Sequence, residues 1–346
     1  MSTAPLRTAM VPVSRRIRAY FAPMNRITGI PSIFDPGKYG LFTLDSPPGP
    51  WLDMGWIDSF QRFCRTTTEP LRCGPQGTPS AQYRGPIDVR VEFEFREWGK
   101  LQMALASGSE HMNVLASVAN ANPQPSGGIP IAAAAVLSGS TASQIVLGVG
   151  AVNAFSVGDI VAVDDDYQQQ IGYVGTGIPA AYVSDPLAVN RDPNYIRRVT
   201  FNLGRVAQQT ATSLLLAQPL LGGPPSAVAG VQKVIAFVDR EGGAFFQEWS
   251  ALFVTEEESG GRVCFHYPRL SPTTSIQTSM RLGLNASAQS GIARVFHRED
   301  EVEIAKPISS LALRAAFQAM PHKDENDGQT VVCYRSYFPA SMAAVY

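Results

Sequence analysis

Along residues 87–96 apolar and charged positions alternate without a break. Ile87, Val89, Val91, Phe93 and Phe95 fall on one side, and Asp88, Arg90, Glu92, Glu94 and Arg96 on the other. A period of two predicts a half-buried antiparallel strand, one face on a core and one face wet. Upstream, Trp51, Met54 and Trp56 open a mixed apolar stretch over 51–65 that reads as strand and turn. A Gly/Pro-rich connection then runs to Pro86. Downstream, Trp98, Leu101, Leu105 and Met112 sit mostly at helical offsets and predict a short helix packed on the sheet, which Gly99 weakens and Gly108 weakens or ends.

The stretch VANANPQPSGGIP over 118–130 reads as a boundary. Beyond it, Ile131–Leu137, Gln144–Val149, Phe155–Asp164, Asn194–Phe201 and Thr212–Leu216 are short apolar runs separated by turn residues. Five or so short strands of this kind predict a small closed barrel, which leaves no exposed sheet edge. The GGPP at 222–225 closes it. Alternating strands resume at Val228–Val238, Ala244–Val254 and Arg262–Tyr267, then at Ile292–Phe296, Glu301–Ile304, Leu311–Met320 and Thr330–Tyr337. The run SLALRAAFQAM fits helix on propensity and strand on alternation. The hairpin-like HKDENDG and the strand VVCYRSYF that follow favour strand.

The first fifty residues carry eight prolines, each of which removes a donor and fixes its own φ, so a compact helix is not expected. Apart from a possible strand over Arg15–Phe21, they read as an extended arm or long loops, either mobile or tied down by a partner. The predicted fold is therefore mainly β. A discontinuous sandwich- or barrel-like body with a flanking short helix spans 51–130 and 226–346. A small β-barrel is inserted at 131–225, and a Pro-rich arm covers 1–50.

Composition sharpens this picture. A hydrophobic fraction of 45% supports sizeable cores, and 30 Gly with 26 Pro favour short strands and turns over long helices. The formal charge of −1 gives no overall attraction to nucleic acid or to an anionic membrane. Only 16% of residues are charged, as expected if much of the surface is covered by neighbouring subunits. No stretch has the length of a membrane span, and the N-terminus does not read as a signal peptide. Cys64, Cys73, Cys264 and Cys333 form no metal-binding spacing. Free thiols in an intracellular protein are the simpler expectation, a Cys64–Cys73 bridge the alternative.

Candidate chemistry is sparse. Asp164-Asp165-Asp166 reads as a solvated turn, with a weak cation site as the alternative, because consecutive carboxylates on a strand point to opposite faces. Glu256-Glu257-Glu258 before Ser259-Gly260-Gly261 reads as a hairpin tip. His111, His266, His297 and His322 are scattered, without HExxH or HxH spacing. Gly172, Gly175 and Gly177 lack the order of a dinucleotide loop. No catalytic, cofactor-binding or metal-binding residue is assigned, and no cofactor is expected. Trp51, Trp56, Tyr167 and Tyr173 keep a carbohydrate- or receptor-binding module open.

Five segments resemble the major tail (tail tube) proteins of tailed bacterial viruses: LDMGWIDSFQRF, IDVRVEFEFREWGKLQMALASG, the insert FSVGDIVAVDDDY through YIRRVTFNLGRV to LLLAQPL, GGRVCFHYPRLSP, and SLALRAAFQAMP with GQTVVCYRSYFP. The likeness is one of element order from about residue 50 onward. It implies a non-enzymatic virion subunit that forms rings, often hexameric, which stack into a hollow tube for DNA passage. Implied partners are further copies of the chain, a tape-measure protein, and terminator or baseplate proteins. The implied location is the virion tail, after assembly in the host cytoplasm. Asp88, Glu92 or Glu94 would face the lumen or the outer rim. The arm and the large insert depart from a minimal tube subunit and leave a terminator, a baseplate hub or a capsid-decorating protein open.

Overall fold

The computed structural model describes residues 16–24, 30–73, 77–108, 110–118, 130–164, 192–240, 248–256, 260–273 and 313–339. In chain order its first strands are β1 (Ile17–Pro23), β2 (Leu52–Cys73), β3 (Thr78–Phe95), β4 (Glu110–Leu115), β5 (Ala134–Ala135), β6 (Gln144–Val146), β7 (Ile160–Asp164) and β8 (Leu203–Gln209). Then come β9 (Ser213–Leu216), β10 (Gly230–Arg240), β11 (Trp249–Glu256), β12 (Arg262–Pro272), β13 (Leu313–Ala319), β14 (His322–Lys323), β15 (Thr330–Val331) and β16 (Tyr334–Phe338). Three short α-helices among the described residues are α1 (Pro36–Tyr39), α2 (Lys100–Ser107) and α3 (Pro193–Val199), with a 3-10 turn at Ala151–Ala154. The architecture is mainly β, with two packed seven-stranded sheets and little helix.

The first sheet runs β11-β1-β2-β3-β13-β12-β16, and β11 also pairs with β12, so the hydrogen-bonded path through six strands returns to its start. The strand pairs within it are all antiparallel among the described residues. Alternation decides what each strand puts inside. Val89, Val91, Phe93 and Phe95 of β3 are buried with Phe21 of β1, Phe253 of β11, Tyr267 of β12 and Phe317 of β13 in one aromatic-rich cluster. Leu101 and Leu105 of α2 cap it. Gly108 ends α2 at φ 61, a left-handed conformation that glycine adopts without a Cβ clash, and the chain then enters β4 instead of continuing as helix. Met112 accordingly lies on a strand.

Part of the expected arm is core. β1 is inserted between β11 and β2, and Ala19, Tyr20, Phe21 and Ala22 are fully buried. Residues 30–51 fold over the outer face of β1 and β11, where Phe34 and Trp51 pack with Tyr20, Leu252 and Val254. Arg262 holds this strap by donating to the carbonyls of Gly40 (3.1 Å) and Phe42 (2.7 Å) while pairing with Glu256. Proline rules out helix here, but it is compatible with an extended strap and with strand ends. Residues 1–15 lie outside the described residues.

The second sheet runs β4-β10-β7-β8-β9-β6, with β5 on β10. It draws on β4 and β10, so it reaches past the expected bounds of 131–225 at both ends. Asn194–Phe201, expected as strand, is mostly helix α3: the Asp192 side chain accepts from the amides of Asn194 and Tyr195, both at 3.0 Å, and Pro193 occupies the first turn. Within the expected strand Leu311–Met320, Leu313–Ala319 is strand β13, as its alternation indicated, and residues 311–312 lie outside the described residues. The expected strands at 292–296 and 301–304 lie outside the described residues.

Candidate assembly surface and cavity

The segment read as a Gly/Pro-rich connection is the outer half of a long two-stranded ribbon. β2 and β3 pair from Ile57–Phe95 out to Cys73–Thr78, with register shifts between Asp58 and Gln61, near Thr67 and near Leu71. Past Arg62 on β2 and Asp88 on β3 no third strand among the described residues flanks them and nearly every residue is exposed. From Thr66 to Cys73 the ribbon reaches about 25 Å at the usual strand rise. Pro70, Pro79 and Pro86 are compatible with it because a two-stranded ribbon has free outer edges that need no donor. Its side chains include Phe63 (50% exposed), Leu71 (57%) and Tyr83 (62%). An isolated hairpin of this kind is marginal in water, and its edges present unpaired backbone groups. Partner strands or a partner surface would satisfy both.

At the root of the ribbon, Phe63, Arg65, Asp88, Arg90 and Glu92 line a cavity of about 310 Å³. The outward face of β3 is a web of compensated charge: Glu92 pairs with Arg314 (2.7 Å) and Arg90 (3.2 Å), Gln318 donates to Asp88 (2.5 Å), and Arg96 pairs with Asp58 (2.6 Å). Cys64 and Cys73 are both exposed and free on β2. Nine residues along one strand put them about 30 Å apart, which excludes the bridge between them.

A second cavity, about 540 Å³, lies between the strap and the β14–β16 region. Ile33, Phe34, Asp35, His266, Asp324 and Tyr334 are among its lining residues. His266 is buried on β12, stacked on Tyr334 (5.6 Å, 18°) and edge-on to Trp51 (5.5 Å). Its Nε2 donates to the Ser32 carbonyl at 3.3 Å, which fixes the tautomer. Burial pulls its pKa down to about 4, so the ring is neutral at pH 7. The Tyr334 hydroxyl donates to Asp324 at 2.5 Å; burial and this bond push the phenol up to about 12, while the same bond and the Asn326 amide hold the carboxylate below its ordinary range. Aromatic packing and a backbone carbonyl account for His266 without a catalytic partner.

The other sequence candidates scatter. Asp164 is buried at the end of β7 and accepts from the Thr200 hydroxyl, so it is not part of a solvated turn; Asp165 and Asp166 lie outside the described residues. Glu256 pairs with Arg262, while Glu257 and Glu258 are undescribed. His111 is buried on β4, His322 lies on β14, and His297 is undescribed. Trp51 is buried and Trp56 lies under the Arg18 guanidinium at 5.3 Å, so they form no open aromatic platform; Tyr167, Tyr173 and the glycines at 172–177 are undescribed. No group of His, Cys, Asp and Glu suited to a metal occurs among the described residues. Burial raises the Cys264 thiol to about 12, which removes it as a nucleophile at neutral pH. No helix among the described residues is long and apolar enough to cross a membrane.

Sequence reasoning missed the ribbon because its exposed residues show no hydrophobic period. The signal available was Thr66-Thr67-Thr68, a β-branched run inside the supposed connection. Compared with protein-family models and with curated proteins, the sequence matches none.

Proposed function

We propose that the chain is a structural virion protein whose copies assemble into stacked rings, forming the tail tube of a tailed bacterial virus through which DNA passes. The observation that carries the proposal is the β2–β3 ribbon, which leaves its own core with edges that no described strand pairs and with exposed Phe63, Leu71 and Tyr83. Such a ribbon gains order by adding its edges or its apolar side chains to a neighbouring copy. A contact between unlike surfaces repeats around a ring or along a filament.

The closed path of six strands, with α2 against it, supports a barrel-like tube body. In the second sheet, the Val136–Leu147 bridge and the Leu137 amide on the Val146 carbonyl (2.9 Å) tie the segments after β5 and β6, which supports a small barrel there. Compensated charge around Asp88 and Glu92 suits a lumen that does not hold DNA, or an outer rim. On this proposal the partners are further copies, a tape-measure protein and terminator or baseplate proteins, the location is the virion tail, and no catalysis is involved. Electron microscopy of the purified chain tests it: rings or tubes support it, and monomers under all conditions oppose it.

A second reading, a receptor- or carbohydrate-binding tail, baseplate or capsid-decorating protein, draws on the 540 Å³ cavity beside His266, whose size and mixed aromatic and polar lining suit a small ligand. Glycan binding by a chain that never assembles would favour it.

A further inference from the structure

Thr200, just past the C-terminal end of α3, ties three side chains together in the dry junction between the sheets. Lys100 Nζ, from the start of α2, donates to the Thr200 carbonyl and, at 3.3 Å, to that of Val199. Asn113 Nδ2, from β4, donates to the same Thr200 carbonyl at 3.0 Å and to that of Arg197 at 2.7 Å. The Thr200 hydroxyl donates to Asp164 Oδ2. Two nitrogens on one oxygen lie within about 6 Å of each other at ordinary hydrogen-bond lengths.

Water is excluded from all of this. Lys100 and Asp164 are each 6% exposed and Asn113 and Thr200 are 0% exposed, while the Phe201 ring covers Nζ at 4.2 Å. Burial holds the lysine well below its ordinary pKa, with Asp164 acting in the opposite direction. Capping of the α3 carbonyls accounts for the lysine contacts. It does not account for the buried Asn113 Oδ1, which accepts from no described residue. A buried amide oxygen without a donor costs about 1–3 kcal/mol.

We propose that Lys100 and Asn113 are the precursors of an intramolecular isopeptide bond, with Asp164 as the proton carrier. The Lys100 ammonium gives a proton to the Asp164 carboxylate. The free amine then attacks Asn113 Cγ, forming the N–C bond and placing the charge on Oδ1. As the intermediate collapses, the Cγ–Nδ2 bond breaks, and the nitrogen that has joined Cγ loses a proton, relayed by Asp164, to the departing group, which leaves as ammonia. The ammonia takes the proton held by Asp164. Overall an ammonium and a carboxamide become a secondary amide and an ammonium ion, with no oxidant or other reagent. The product ties α2 to β4 and replaces a buried charge with a neutral amide. This proposal does not depend on the tail-tube reading.

Intact-mass spectrometry of the folded full chain tests it. After allowance for the initiator methionine, the mass should fall about 17 Da, one ammonia, below that of the sequence. Trypsin should fail to cut after Lys100, leaving 97–100 joined to 101–191, since no Lys or Arg intervenes between Lys100 and Arg191. Lys100→Arg and Asp164→Asn should keep the full mass. If either fails to fold, Asn113→Asp serves instead: it should lose water and reach the same mature mass as the natural chain. A folded natural chain of full mass that trypsin cuts after Lys100, or a cross-link mapped to other residues, overturns the proposal.

Discussion

Phe93 on β3 and Phe317 on β13 stack nearly parallel inside the first sheet, with ring centroids 5.7 Å apart and planes at 13°. Phe21 of β1 touches both, at 6.4 and 5.6 Å. Three strands that are distant in sequence are thus joined through one aromatic contact. Phe317→Ala should destabilise the fold by about 3–5 kcal/mol, the usual cost of emptying a buried aromatic site. Because the rings share a site, Phe93→Ala with Phe317→Ala should cost less than the sum of the singles. Chemical denaturation of the three variants checks both statements.

The ribbon should be dispensable for folding and needed for assembly. Replacing residues 66–87 with Asn-Gly joins Arg65 to Asp88, which face each other in register, through a tight hairpin turn. The shortened chain should keep the melting temperature of the natural chain within a few degrees, while sedimentation should find only monomer. Loss of folding would show that the ribbon belongs to the core.

Much of the first sheet was legible because Ile87–Arg96 alternates cleanly, and α2 because Gly108 supplies a helix stop. The ribbon was not, because a strand with two wet faces has no hydrophobic period to read and Pro70, Pro79 and Gly85 resemble loop punctuation. α3 was read as a strand because Asn194–Phe201 is a short apolar run between turn residues, although Asp192-Pro193 ahead of it is a helix start. The strap was hidden by prolines whose anchor, Arg262, lies more than two hundred residues away. The cavity beside His266 joins residues near 30, 266 and 334, a convergence no local pattern encodes.

Arg262→Ala should loosen the strap. It removes hydrogen bonds to two carbonyls and the partner of Glu256, and charged hydrogen bonds of this kind are worth about 1.5–3 kcal/mol. Limited proteolysis should cut within 30–51 faster than in the natural chain. Arg262→Lys should restore little, because one ammonium cannot span the fork.

Acid should destabilise the fold through His266. Its folded pKa of about 4 lies below the ordinary 6.5, so the unfolded chain binds more protons between these values. Its contribution is therefore full above pH 6.5 and is lost as pH falls towards 4, by up to about 3 kcal/mol. His111, lowered by burial to about 3, acts in the same direction. Denaturation midpoints over pH 4–7 should fall less steeply in His266→Gln than in the natural chain.

Self-assembly is the central claim, and negative-stain electron microscopy of the purified full chain across a rising concentration series tests it most directly. Rings that stack into tubes are the predicted result. A monodisperse monomer at every concentration and ionic strength would contradict it.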